Sequence, residues 1–176
     1  MKGTIATKLI YRDVFNPFDR ETSDDNLIQT YLPIYDNDRA WPIGVFEVYN
    51  AGPEKNNLGR PGHGSTEQLW DGLLSLGKRM VGIATDDAHD FTRWGGQYRN
   101  PGRAWVHVRA ESAREAAVLS ALESAECYAS TGVELDAVPT SEAGMAIDIA
   151  TEFDRAYTTT FIGRGGELLD EAHGPE

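Results

Sequence analysis

The chain has 176 residues, 40% of them hydrophobic and 25% charged, with a net charge of −12. That is the composition of a folded protein with one sizeable core. The acid excess excludes a broad nucleic-acid surface or a hold on anionic membranes, both of which need faces of Lys and Arg. Cys127 is the sole cysteine, so no internal disulfide forms, as suits a reducing compartment. No apolar segment of signal-peptide length precedes Lys8 and Arg12, and no run approaches the roughly 18 apolar residues of a membrane span. We therefore expect a cytoplasmic chain folded as a single domain over residues 1–176.

Residues 1–12 read as a strand with Ile5, Leu9, Ile10 and Tyr11 as its apolar members. Asp13 to Asp38 is poorly patterned, with Asn16-Pro17 and Leu32-Pro33 as breakers and a short helix or apolar turn around Leu27–Leu32. Pro42 to Asn50 is a strand carrying Val45, Phe46, Val48 and Tyr49, and Ala51 to Gly64 is a glycine-rich loop. Ser65-Thr66-Glu67-Gln68 has the capping-box pattern that opens a helix running to about Lys78, with Leu69, Trp70, Leu73, Leu74 and Leu76 as the buried stripe. Gly77, Lys78 and Arg79 suit its end.

Met80 to Ala84 is an apolar strand that runs into Asp86, Asp87, His89 and Asp90. Acids and a histidine at the carboxyl end of a strand are how α/β proteins deliver side chains to a site. If the backbone stays extended past Ala84, Asp87 and His89 share a face, as side chains two apart do. A loop rich in Gly, Arg and aromatics follows, Thr92 to Gly102. Ala104 to Val108 is the next strand. Ser112 to Glu115 is a second capping box, opening a helix to about Ala125 with Ala113, Ala116, Ala117, Leu119, Ala121 and Leu122 on its apolar side. Tyr128 to Gly132 turns the chain into a strand at Val133–Val138. The tail, 140–170, is expected to be an antiparallel hairpin, with Met145, Ile147 and Ile149 on one arm and Tyr157, Thr159 and Phe161 on the other. Gly163, Gly165 and Gly166 loosen the end, and 171–176 fray. The strand–helix alternation in the middle favours a parallel α/β unit.

Four segments resemble a known family. F-E-V-Y-N at Phe46–Asn50, L-W-D-G-L-L-S-L-G-K-R at 69–79, G-I-A-T-D-D-A-H at 82–89, and Y-A-S-T-G at 128–132 with F-I-G-R-G-G from Phe161 are similar, in order, to the C-terminal half of the polymerase and histidinol phosphatase (PHP) domain. The resemblance spans about Val45 to Leu169, and the third segment is the most specific. It implies an α/β fold, a partial PHP-type (β/α) barrel followed by the hairpin tail. It implies a phosphoesterase that cleaves a small phosphorylated substrate with water activated by divalent zinc, manganese or iron. Asp87 and His89 match the last two metal ligands of the motif. A carboxylate and an imidazole bind such ions at about 2.0–2.2 Å.

The family opens on an H-x-H strand, whereas the histidines here are His63, His89, His107 and His173, none of them in that pattern. The resemblance thus implies a truncated barrel whose metal site is incomplete. Two function classes stay open: a metal-dependent phosphoesterase, and a non-catalytic remnant acting as a binding or assembly domain, with open strand edges inviting a homo-oligomer.

Several of the remaining candidates carry two readings. His63, in R-P-G-H-G-S, is a further ligand or a solvated loop histidine. Glu47 is a buried acid facing the interior or an outward residue of an edge strand. Asn50 lines the pocket mouth. Arg93, Arg99 and Arg103 offer forked donors to a substrate phosphate or a solvated loop. His107 is expected to be a satisfied histidine and Cys127 a packing residue. Asp148, Glu152 and Asp154 form a solvated face.

Overall fold

A computed structural model describes residues 4–10 (backbone only), 44–141, 144–150 and 156–174. The stretch 13–38, including the helix or turn expected at Leu27–Leu32, lies outside the described residues, as do Tyr11, Glu152 and Asp154. In chain order the elements are β1 (Thr4–Ile10), β2 (Val45–Asn50), α1 (Thr66–Ser75), β3 (Val81–Thr85), β4 (Trp105–Val108), α2 (Glu115–Glu123), β5 (Cys127–Ser130), β6 (Leu135–Ala137), β7 (Thr140–Ser141), β8 (Gly144–Met145), β9 (Asp148–Ile149), β10 (Ala156–Ile162) and β11 (Leu168–Gly174). They fall in two compact units, one holding the described residues of 1–15 and 132–176, the other those of 16–131. The sheets among them are small and open, and none closes into a barrel. No helix of the described residues is long and apolar enough to cross a membrane.

In the 16–131 unit, β2, α1 and β3 form the expected parallel unit, with β2 beside β3. Helix α1 starts where its local chemistry dictates. The Ser65 hydroxyl accepts from the Gln68 amide at 3.0 Å and the Gln68 side chain accepts from the Ser65 amide at 2.9 Å, a reciprocal cap that satisfies two orphan donors. Leu73 is the stripe residue that becomes buried, while Leu76 falls on the C-cap and is exposed. Gly77 then adopts φ 80, the left-handed step that closes a helix end at no steric cost. Trp70 lies across Gly82 of β3 and donates through Nε1 to the Met80 carbonyl at 3.1 Å.

The second half of this unit departs from the parallel expectation. β4 and β5 are antiparallel, pairing Trp105 with Ser130 and Val108 with Cys127. The cause is the return path. Residues 109–114 carry the chain out, α2 brings it back, and Ala125 at φ 58 reverses it so that the Arg109 amide meets the Glu126 carbonyl at 2.8 Å. The strand therefore restarts at the end it left. The capping box at Ser112 does not form either. Residues 111–116 are exposed, the helix begins at Glu115, and Arg114 is its N-cap without a side-chain bond. With nothing to bury there, the first predicted turn has no apolar face to hold it and stays open. The inward face of α2 is Ala117, Val118, Ala121 and Leu122, and Leu119 is exposed.

In the other unit β10 is the centre of a three-stranded sheet, parallel to β1 and antiparallel to β11. A hairpin closes the chain, but its arms are β10 and β11 rather than 145–149 and 157–161. Met145 and Ile149 sit in short strands paired elsewhere, β8 with β7 and β9 with β6. The glycines explain the difference. Gly165 and Gly166 take φ 71 and 79 and the Gly163 amide donates to the Glu167 carbonyl at 2.7 Å, so this run makes the turn instead of loosening the end. Strand β11 consequently extends through Gly174, where fraying was expected.

Candidate functional site

The site lies at the carboxyl ends of β2 and β3. A bulge in their register, between Glu47 and Tyr49, sets its geometry: Glu47 faces Ile83, Tyr49 faces Ala84 and Asn50 faces Thr85. Residues three apart on a regular strand point to opposite faces. The extra residue at Val48 removes that restriction, as bulges near functional sites do. Asn50 Nδ2 donates to Glu47 Oε2 at 3.1 Å, and Thr85 Oγ1 donates to Glu47 Oε1 at 2.5 Å. Glu47 is thus an exposed acid locked across the strand pair, the outward of its two sequence readings. The bulged Val48 carbonyl accepts from Thr66 Oγ1 at 2.6 Å.

Asn50 is engaged on every side. Its amide donates to Asn57 Oδ1 at 2.9 Å, its Oδ1 accepts from the Gly52 amide at 2.9 Å, and its carbonyl accepts from Asn57 Nδ2 at 2.7 Å. These bonds fold the 51–57 loop back over the strand ends. His63 is exposed farther along the 51–64 stretch, bridged backbone to backbone with Arg60.

Strand β3 ends at Thr85, and the extended backbone assumed for Asp87 and His89 does not continue. Asp87 takes φ 50, a conformation that is uncommon outside glycine and that concentrates at functional sites. The turn still brings the two side chains together: His89 Nδ1 lies 3.5 Å from Asp87 Oδ1 and 2.5 Å from the Asp87 carbonyl. The His89 side chain is 62% exposed. The other carboxylate oxygen, Oδ2, faces two cations, Arg99 at 3.3 Å and Lys55 at 3.6 Å. Glu54 pairs with Arg99 in turn.

The other two acids of the motif serve the loop that follows. Asp86 Oδ2 accepts from the Gly102 amide at 2.6 Å. Asp90 accepts from the Arg99 amide and from Arg93, at 3.2 and 3.3 Å. Arg93 stacks over the Tyr98 ring, and Arg103 donates to the Gly95 carbonyl at 2.6 Å. Of the three candidate phosphate-binding arginines, only Arg99 reaches the Asp87 carboxylate.

Asn100, 2% exposed, holds this loop from inside, donating to the Asp90 and Arg93 carbonyls at 2.9 and 2.7 Å. Phe91 and Trp94 are left in solvent. Lys55, Glu54, Thr85 and Asn100 escaped the sequence reading. The one signal for Lys55 and Glu54 was a charged pair in the loop leaving a strand's carboxyl end.

His107 is elsewhere and satisfied. Trp105 Nε1 donates to its Nε2 at 2.7 Å, and Tyr128 stacks on it across β4–β5 at 4.7 Å. Cys127 is half-buried. Burial pushes its thiol up, and the neighbouring Glu126 carboxylate adds to the shift, so the thiolate needed for nucleophilic work is scarce near neutrality. A disulfide reagent at pH 8 should label Cys127 more slowly in the folded protein than in denaturant. Because the folded state holds this proton to higher pH than the unfolded one, the associated stability is full below the unfolded thiol value. It is lost as pH rises through the folded value. Equal labelling rates would refute this.

The donor set at the strand ends is short of what a divalent metal takes. Asp87 and His89 are one carboxylate and one imidazole, whereas structural zinc takes four protein ligands and catalytic zinc three. Among the described residues no group of three or more His, Cys, Asp or Glu is placed to hold a metal ion. His63 and Glu47 are not brought to Asp87 and His89 as further ligands, and Asp87 Oδ2 already carries two cations. Among the described residues, and with Lys55 and Arg99 in place, Asp87 and His89 do not by themselves complete a metal centre. Comparison with family models, curated proteins and solved structures returns no match.

Proposed function

We propose that this chain is a PHP-type domain, of the C-terminal β/α units, that acts as a cytoplasmic binding or assembly domain and not as a self-sufficient phosphoesterase. The likeness to the PHP ligand motif supports the lineage. The observation that carries the function is the state of Asp87: its carboxylate stands beside His89 at the end of β3, yet is neutralised by Arg99 and Lys55. Assembly with a second copy fits β2, which among the described residues pairs with β3 alone and turns Val45 and Tyr49 to solvent, an edge that invites a further strand.

The second reading is a metal-dependent phosphoesterase using zinc, manganese or iron, with further ligands from outside the described residues. It is favoured by the parallel β2–β3 pair, whose carboxyl ends are where α/β folds place small-molecule sites, and by the exposure of His89. Incubating the purified chain with p-nitrophenyl phosphate and Mn²⁺, Zn²⁺ or Fe²⁺ separates the two. The expected result is no release above buffer and no difference between wild type and Asp87→Ala/His89→Ala. Metal-dependent release that the double substitution abolishes would establish the second reading in place of the first.

A further inference from the structure

We infer that Lys55 and Arg99 are the protein's own cations in the position a divalent metal would take on Asp87, and that metal and these side chains compete for that carboxylate. The inference rests on the binding-domain reading above and concerns the same strand end. Both oxygens of Asp87 are assigned, Oδ1 to His89 and Oδ2 to the two cations. A divalent ion arriving at Oδ2 meets two like charges, which disfavours it unless they leave.

The cations are held in place by their loops. Lys55 sits at the end of a tight turn, its amide donating to the Gly52 carbonyl at 3.1 Å. Gly52 is buried, and a Cβ there would stand 2.9 Å from Asn50 Oδ1 and 3.1 Å from Lys55 Cγ. A side chain there would crowd both the Asn50 amide oxygen and the lysine stem. Arg99 is fixed through its backbone: its carbonyl accepts from the His89 and Asp90 amides, both at 2.9 Å, and its amide donates to Asp90. Glu54 holds the Arg99 guanidinium from its other side. The cluster of Lys55 and Arg99 with Asp87 and Glu54 is therefore charge-balanced without a metal. Asp87 fastens the 51–64 and 90–103 loops over the strand ends.

Thermal unfolding of the full chain with ZnCl₂ or MnCl₂, and with EDTA, tests this. The wild-type midpoint should be unmoved by metal or chelator. The Lys55→Met/Arg99→Met variant should gain a zinc-dependent rise of about 4 °C or more at saturation. Adding His89→Ala or Asp87→Asn should remove that rise. If the double variant does not fold, the single variants K55M and R99M give the same readout, and at least one must gain a zinc response.

A wild-type rise that saturates at one ion per chain overturns the inference. So does a folded double variant, or both single variants, with no response. A wild-type response removes the support that Asp87 lends to the binding-domain reading, but that reading itself falls on a different measurement, the finding of phosphate-ester turnover.

Discussion

Replacing Asn100 with alanine should lower stability by about 3 kcal/mol, or about 9 °C in Tm for a chain of this size. Asn100 is nearly fully buried and carries the 90–103 loop on four contacts. Its Nδ2 donates to the Asp90 and Arg93 carbonyls, and its Oδ1 accepts from the Gly95 amide at 3.2 Å and from Arg103 at 3.5 Å. Alanine leaves two carbonyls and an amide without their partner, and the cost of stranded polar groups exceeds the small net worth of each bond. Aspartate at the same position keeps the volume but loses both donors and sets a carboxylate against two carbonyl oxygens, so Asn100→Asp should cost at least as much. Arg99 is next in sequence, and a loosened loop releases its hold on Asp87. Thermal or urea unfolding decides. A shift below about 2 °C for both variants would mean that the loop stands without Asn100.

Gly44→Ala should cost about 2 kcal/mol. An added Cβ would lie 2.4 Å from the Arg79 carbonyl oxygen and 3.4 Å from Met80 Cγ. The first neighbour is backbone and cannot rotate away. The same segment is pinned by the Val81 amide donating to the Gly44 carbonyl at 2.7 Å. Relief therefore requires the entries of β2 and β3 to part, loosening the parallel pair on which the site stands. Gly96→Ala is the control, since nothing lies within 4 Å of its Cβ position. Its stability should be unchanged or slightly raised, because alanine narrows the unfolded ensemble. Equal effects at the two positions would remove the steric argument.

Where a signal was local, the sequence was readable. The Ser65–Gln68 cap, the burial of Leu73, the Gly77 stop and the apolar run of β3 each depend on neighbours within a turn or two, and each forms, although the helix ends at Ser75, short of Lys78, and leaves Leu76 exposed. The second cap, at Ser112, shows the limit of that logic. The same residue pattern on an exposed stretch does not start a helix, because a cap adds too little when no face is buried. Non-local pairing was unreadable for the same reason. The antiparallel return of β5 onto β4 depends on Ala125 taking a left-handed conformation, which an alanine does not advertise. Likewise β10 pairs with β11 because a glycine run forms a turn that composition alone leaves open as slack or as a reversal.

At the candidate site, the sequence by itself determined the inventory. It placed a strand ending in Asp86, Asp87, His89 and Asp90, an acidic balance, and the likeness of G-I-A-T-D-D-A-H to a metal-ligand motif. What those side chains face was decided only by the tertiary structure. The register slip at Val48 joined Glu47 to Asn50 and Thr85. The loops on either side of β3 brought Lys55 and Arg99 onto Asp87, while Asp86 and Asp90 turned to loop amides. The physical reason is that a carboxylate's role follows from the charges and donors within a few ångströms of it. Those neighbours come from loops remote in sequence, whose approach no periodicity records.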